Sequence, residues 1–281
     1  MVERIGDILK RDWANMQISE SKYDLKVCEV CGEKKEMEIM IFGEPKIVSV
    51  MCRCEKEQLA QREAEQAAKQ KMMRLERLRK HSLMDEQFKG CRFENFEIDE
   101  DNKNMYKLGI NYCTHWPEMK ASNVGLLIYG PPGTGKTFLT SCIANNLLEQ
   151  LVPVIIISSI GMLNRIKETY TKGGAEAELE IINNLKDADL LIIDDLGAEN
   201  DTDWAKEKIY EIIDSRYRDK KPLIVTTNLT REGLKTKLTG DDGVARTYDR
   251  IMEMCYPVEV SGSSKRAGIA RNKENIIKTL L

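Results

Sequence analysis

The run Gly130-Pro131-Pro132-Gly133-Thr134-Gly135-Lys136-Thr137 carries the residue types that a triphosphate needs, in a workable order. Glycines let the backbone turn back and aim several N–H donors at one anionic group, and a helix opening near Lys136 points its positive end at the same place. Lys136 is expected to reach the β- and γ-phosphate oxygens, and the Thr137 hydroxyl to ligate Mg²⁺. An apolar run over 124–129 precedes the loop and an apolar-periodic stretch to about residue 151 follows it. Strand, loop and helix in that order predict a P-loop and a nucleoside triphosphate ligand. The bland alternative, a glycine-rich turn with an incidental lysine, leaves those two flanks without a reason.

A second cluster is acidic. Leu190-Leu191-Ile192-Ile193-Asp194-Asp195 reads as a buried strand ending in two carboxylates. At the carboxyl edge of a parallel sheet they would lie beside the P-loop. Asp194 is expected to hold Mg²⁺ through water, and Asp195 to polarise the attacking water. The apolar run 223–227 ends in Asn228, which could lie between the acidic strand ends and the γ-phosphate; a simple turn-forming role is the alternative.

Cysteines supply a third chemistry. Cys28-Glu29-Val30-Cys31-Gly32 is a knuckle that can wrap two thiolates onto one Zn²⁺, and Cys52-Arg53-Cys54 offers two more after a hairpin-sized interval. Four thiolates suit tetrahedral structural zinc. Only one residue separates the second pair, so a ligand from elsewhere, His81 or Cys91, stays open, as does a redox dithiol. Cys113, Cys142 and Cys255 fall in apolar patterns and read as core thiols.

The elements that must position these groups are short apolar runs at 124–129, 154–158, 190–194, 223–227 and 256–260, the kind buried on both faces of a parallel sheet. Helical patterns, plainest over 138–151, 175–186 and 204–217, separate them, so the fold class is α/β with right-handed crossovers. With the 223–227 strand inserted between the P-loop strand and the acidic strand, the expected order is 5-1-4-3-2, counting the five parallel strands alone. Upstream, residues 1–54 hold few apolar residues and four cysteines, too little for a core without a cross-link. Residues 55–87 form a helical linker, since 55–80 contain neither Gly nor Pro and are rich in Ala, Glu, Gln, Lys and Arg. Its basic end, with Lys69, Lys71, Arg74, Arg77, Arg79 and Lys80, could track a phosphate backbone or simply form a solvated face. Residues 88–281 make the α/β domain, with Phe93 and Phe96 either walling a base pocket or anchoring the core.

Composition bounds the class. The chain has 281 residues, 42% hydrophobic and 32% charged, with net charge −3. That describes a globular protein, not a disordered or fibrous one. No apolar run reaches membrane-spanning length and the first residues lack a signal-peptide core, so a cytoplasmic location without membrane attachment is expected. In such a setting clustered cysteines point to metal rather than disulfides.

Taken together, Gly130 to Thr137, Asp194-Asp195-Leu196-Gly197, Thr226-Thr227-Asn228, Tyr248-Asp249-Arg250-Ile251 and Ser264-Lys265-Arg266 resemble the Walker A, Walker B, sensor 1, arginine-finger and sensor 2 motifs of AAA+ ATPases. The acidic motif and the Asp-Arg pair are most similar to the DnaC/DnaI helicase-loader group and its relative, the IstB transposition helper. The resemblance covers roughly residues 88–270. It implies that Arg250 reaches a neighbour's γ-phosphate, with Arg246 the competing candidate, and that Arg266 contacts phosphates of its own subunit. Lys265 departs from the aromatic residue often found there. Asp195 stands where a glutamate is usual, one methylene short, which implies slow hydrolysis. By the same resemblance the ligand is ATP with Mg²⁺, the partners are a hexameric replicative DNA helicase, single-stranded DNA and other copies of the chain, and residues 1–54 bind the helicase. A transposase helper is the alternative.

Overall fold

The first two strands among the described residues form a hairpin. The computed structural model describes residues 24–41, 43–81, 89–172, 174–262, 264–265 and 277–278. Strands β1 (Glu36–Ile41) and β2 (Glu44–Ser49) pair antiparallel, with Glu36 opposite Ser49 and Ile41 opposite Glu44. Helix α1 (Arg53–His81) follows, 29 residues long. Its composition of good helix formers explains its length, and among its described side chains Leu59, Met72 and Met73 all stand exposed. Residues 82–87 of the expected linker lie outside the described residues. The chain divides into two compact units, 1–69 and 70–281.

In the second unit five strands form one parallel sheet: β3 (Gly125–Tyr129), β4 (Val154–Ser158), β5 (Leu190–Asp194), β6 (Leu223–Thr227) and β7 (Cys255–Glu259). Because the two hairpin strands are counted first, the order in the molecule is β4-β5-β6-β3-β7. Numbered from β3 as the first strand, it reads 2-3-4-1-5. Strand β6 therefore lies between β3 and β5, with Leu126 beside Ile224 and Ile224 beside Ile192.

Strand residues alternate between two cores. Leu127, Ile155, Ile157, Leu191, Ile193 and Val225 face one, and Leu126, Ile128, Ile156, Ile192 and Ile224 face the other. Both faces are covered by helices, which is why the strands read as unbroken apolar runs instead of alternating ones. On the first face lie α5 (Ser159–Lys172), α6 (Gly174–Asp187), α7 (Asp203–Arg218), α8 (Arg231–Leu238) and α9 (Arg246–Met254). On the second lie α2 (Lys103–Thr114), α3 (Trp116–Ala121) and α4 (Lys136–Glu149). Helices α7 and α8 begin at threonine caps: Thr202 Oγ1 accepts from Ala205 N at 3.2 Å and Thr230 Oγ1 from Gly233 N at 3.1 Å. No helix among the described residues is long and apolar enough to cross a membrane.

Candidate functional site

The loop between β3 and α4 is set by close backbone approach. Gly130 has φ +147, and a Cβ there would lie 2.0 Å from the Val260 carbonyl oxygen. Gly133 has φ +83, and a Cβ there would meet Ser264 Oγ at 2.1 Å. Any other L-residue at either position is strained and blocked. Gly135, also in the left-handed region, opens α4, so the helix N-terminus faces the space enclosed by the loop.

Lys136, almost fully buried, spans that loop. Its ammonium donates to the carbonyl oxygens of Gly130 and Pro131, both at 2.8 Å, and to Asn228 Oδ1 at 2.7 Å. Asn228 Nδ2 in turn donates to Asp195 Oδ1 at 3.1 Å. The three residues form one polar line from the P-loop across the end of β6 to the end of β5. Thr134 Oγ1 closes the loop internally on Pro131 O at 2.9 Å.

The carboxylates are held from both sides. Thr137 Oγ1 is 3.1 Å from Asp194 Oδ2, and Thr226 Oγ1 is 2.6 Å from Asp194 Oδ1. Burial raises the Asp194 carboxyl above its ordinary value, the Thr226 bond opposes that, the neighbouring Asp195 adds to it, and the Thr137 bond opposes it again. Asp195 sits at φ +52, outside the strand's regular geometry, and its own N–H donates to Thr226 Oγ1 at 2.9 Å. Thr137 and Asp194 thus offer two hard oxygen donors at one point, the set that suits Mg²⁺.

A cavity of ≈ 510 Å³ adjoins these groups, lined by loop residues 132–138 with Phe96, Asp195, Asn228 and Lys265. Phe96 packs edge-on against Phe138, ring centres 5.5 Å apart. Phe93 does not line it; its ring packs on Tyr106 at 5.9 Å, within the core. Lys265 reaches over the cavity: its backbone N donates to Gly133 O at 3.0 Å, while Nζ donates to Glu97 O at 3.0 Å and pairs with Asp99 at 3.2 Å. Arg266 lies outside the described residues.

Arg250, on α9, is absent from the cavity lining. Its guanidinium pairs with Asp214 at 2.7 Å and stacks over the Tyr210 ring at 4.6 Å. Its partner is thus on α7 and not among its helix neighbours Asp249 and Glu253. Arg246 pairs with Asp242 one turn back.

In the first unit, Cys28, Cys31, Cys52 and Cys54 converge, with all four sulfurs within 4.8 Å of one another. Cys54 Sγ lies 3.4 Å from Cys28, 3.1 Å from Cys52 and 3.6 Å from Cys31. A tetrahedral Zn–S distance of about 2.3 Å gives sulfur edges of about 3.8 Å, so the cluster fits zinc. The knuckle turns at Gly32, φ +72, with Gly32 N bonded to Cys28 O at 2.9 Å. Backbone N–H groups of Cys31 and Val30 pull the Cys28 thiol down to about 6, whereas bonds from the Cys52 and Cys28 sulfurs push Cys54 up. A cation is what lets all four ionise together. Cys91, one alternative ligand, is instead buried in the core of the second unit; the side chain of His81, the other, lies outside the described residues.

With this geometry in hand, similarity to known proteins is decisive. The family model described as IstB-like ATP binding protein matches residues 45–273. The chain belongs to that family. The chain is 30% identical over 198 residues to the replicative helicase loader DnaC of Escherichia coli K12, which covers 70% of this chain and 77% of the relative. DnaC of Buchnera aphidicola subsp. Baizongia pistaciae is 32% identical over 171 residues, 60% of this chain and 68% of that one. Among solved structures, that titled DnaI superposes with TM-score 0.56 at 24% identity, covering 66% of this chain and 95% of its own. The fold is that of AAA+ P-loop proteins. The family match starts after Cys28 and Cys31, so the first half of the cysteine cluster lies outside it.

Three residues make contacts at this family member's site that the sequence motifs do not assign: Ser159 lies in none of them, and Thr226 and Lys265 lie in the sensor 1-like and sensor 2-like motifs without a role of their own. Thr226 and Ser159 act through hydroxyls, Ser159 Oγ donating to Asp195 O at 2.9 Å, and Lys265 reaches the loop from the far end of the chain. The doubled threonine before Asn228 was the one available signal.

Proposed function

We propose that this chain is an ATP-dependent DNA helicase loader that binds ATP with Mg²⁺ and single-stranded DNA and delivers a hexameric replicative helicase to DNA at the start of replication. The observation that carries the reading is the similarity to replicative helicase loaders over 70% of the chain, together with a complete Lys136, Thr137, Asp194, Asp195 and Asn228 set in contact. Residues 1–54 would be the zinc-dependent helicase-binding module, 55–87 the linker and 88–281 the ATPase domain.

The chain's own residues account for the proposed chemistry. Loop N–H groups and Lys136 neutralise phosphate charge, Thr137 and Asp194 hold the cation, and Asp195 accepts a proton from water that Asn228 helps to orient. Bound Mg²⁺ supplies charge that offsets the phosphates' own. Arg250, held on α9 away from its own cavity, would complete a neighbour's site, and a guanidinium so supplied can be worth about 10³–10⁵ in rate. Arg266 would contact phosphates of its own subunit. One short carboxylate and a finger supplied in trans make hydrolysis slow, a switch for self-association and DNA grip rather than a motor.

The test is ATP turnover of the zinc-loaded protein with and without single-stranded DNA and a replicative helicase, beside Arg250→Ala. Stimulation by either partner, lost in Arg250→Ala while ATP binding survives, supports the loader. Unchanged turnover, with no complex at micromolar helicase, rejects it. The IstB-like description of the matched family favours a second reading, a helper ATPase for a transposase. That reading would then stand first.

A further inference from the structure

Thr226 is fully buried on β6, between the P-loop strand and the acidic strand. Its single hydroxyl meets two groups of the acidic strand's end. The Asp195 N–H donates into it at 2.9 Å, and it lies 2.6 Å from Asp194 Oδ1. A hydroxyl has one hydrogen, and an N–H cannot accept it, so that hydrogen is directed at Asp194. Asp194 is thereby held as an acceptor at Oδ1, while Oδ2 is turned to Thr137.

The second contact sets the main chain. Asp195 occupies φ +52, a conformation that a non-glycine residue keeps only where its surroundings impose it. Four bonds do so here: Asp195 N to Thr226 Oγ1, Leu196 N to Thr226 O at 2.8 Å, Ser159 Oγ to Asp195 O, and Ala198 N to Asp195 O at 3.1 Å. Two of the four come from Thr226. The turn they fix directs the Asp195 carboxylate to Asn228.

We propose that Thr226 is a positioning residue for both carboxylates: its hydroxyl orients Asp194 for the divalent cation, and its hydroxyl and carbonyl lock the turn that presents Asp195. The inference rests on the ATPase reading of this site. Valine has the same shape without the hydroxyl. It would leave Asp194 Oδ1 and the Asp195 N–H buried without this partner. Serine keeps the hydroxyl and loses only a methyl group.

The experiment uses the full chain, zinc-loaded, as wild type, Thr226→Val, Thr226→Ser and Thr226→Cys. Binding of a fluorescent ATP analogue is titrated with Mg²⁺ and again with excess EDTA, and turnover is followed against Mg²⁺ and ATP. In Thr226→Val the Mg²⁺ needed for half-maximal tight binding rises by about tenfold or more, affinity in EDTA stays at the wild-type value, and kcat falls more than KM rises. Thr226→Ser restores both parameters to near wild type. A folded Thr226→Val with wild-type Mg²⁺ dependence and kcat overturns the proposal; so does Thr226→Cys with wild-type values, should valine prevent folding. Mg²⁺ dependence of binding needs no turnover. A wild type that binds Mg²⁺ and nucleotide without hydrolysing it would sink the ATPase reading, while a shifted Mg²⁺ midpoint in Thr226→Val would still support the role at Asp194.

Discussion

The Lys136 ammonium and the Asn228 carboxamide oxygen lie 2.7 Å apart, in a charge-assisted hydrogen bond joining the P-loop to the end of β6. Because Asn228 also donates to Asp195, its side chain is oriented at both ends. Asn228→Ala is expected to lower kcat by about 10²-fold, the scale for removing one pre-oriented polar group, with little change in nucleotide affinity. Single-turnover hydrolysis beside equilibrium binding separates the two. Equal loss in both would make Asn228 a binding residue instead.

Arg250 and Asp214 form a pair across α7 and α9 that is mostly shielded from water, their side chains 21% and 13% exposed. Asp214→Asn is expected to cost about 1 kcal/mol of stability, measured by denaturant unfolding, and less in high salt. If Arg250 serves a neighbouring copy, Asp214→Asn also changes how steeply turnover rises with protein concentration. Turnover independent of concentration in wild type and variant alike would remove the shared-site idea.

Chelation should separate the two units. Stripping metal from the Cys28, Cys31, Cys52 and Cys54 cluster is expected to unfold the knuckle and hairpin, since metal binding in so small a unit is folding energy. The P-loop unit should keep its thermal transition. Alkylation followed by mass spectrometry gives a second readout: the four cluster thiols become reactive, while Cys113 and Cys142, pushed up to about 12 by burial, stay protected at pH 8. Full reactivity of the cluster before chelation would argue against bound metal.

Arg216 is fully buried and donates to the carbonyl oxygens of Leu185 and Ala188, both at 2.9 Å, and of Pro222 at 2.6 Å. It caps the end of α6 and ties it to the entry of β6. Arg216→Met should cost about 3 kcal/mol, because several buried carbonyls lose a charged donor. In a unit of this size that lowers the thermal midpoint by roughly 6–12 °C. A shift under 2 °C would show that water replaces the guanidinium, by about the same measure.

The phosphate loop and the acidic strand were legible because each is contiguous: Gly125 to Thr137 and Leu190 to Asp195 each carry a strand and the chemistry at its end in one unbroken run. Strand β6 was legible for the same reason. The contacts of Thr226 and Arg216 were not. Each acts on groups about thirty residues away in sequence, Thr226 on Asp194 and Arg216 on Leu185, so the motif around Thr226 does not show what its hydroxyl meets and nothing around Arg216 marks it. Arg250 was legible as a finger candidate, while its partner Asp214 sits on a different helix, α7, and nothing local to Arg250 in the sequence points to it. Phe96 and Phe93 lie three residues apart at one turn, and only packing decided that the first faces the cavity.

Strand β6 runs between β3 and β5, and the polar groups around the cavity reach it from both sides. Strands one apart are spaced by about 4.8 Å, so β3 and β5 stand about 10 Å from each other. A triphosphate seated on the loop and tied to Asp194 would act as a cross-brace over three adjacent strands. Ligand and sheet would then melt as one body, and occupancy would be readable as heat resistance of the whole unit: about 2.7 kcal/mol at a hundredfold excess over Kd, delivered to residues that never touch the nucleotide.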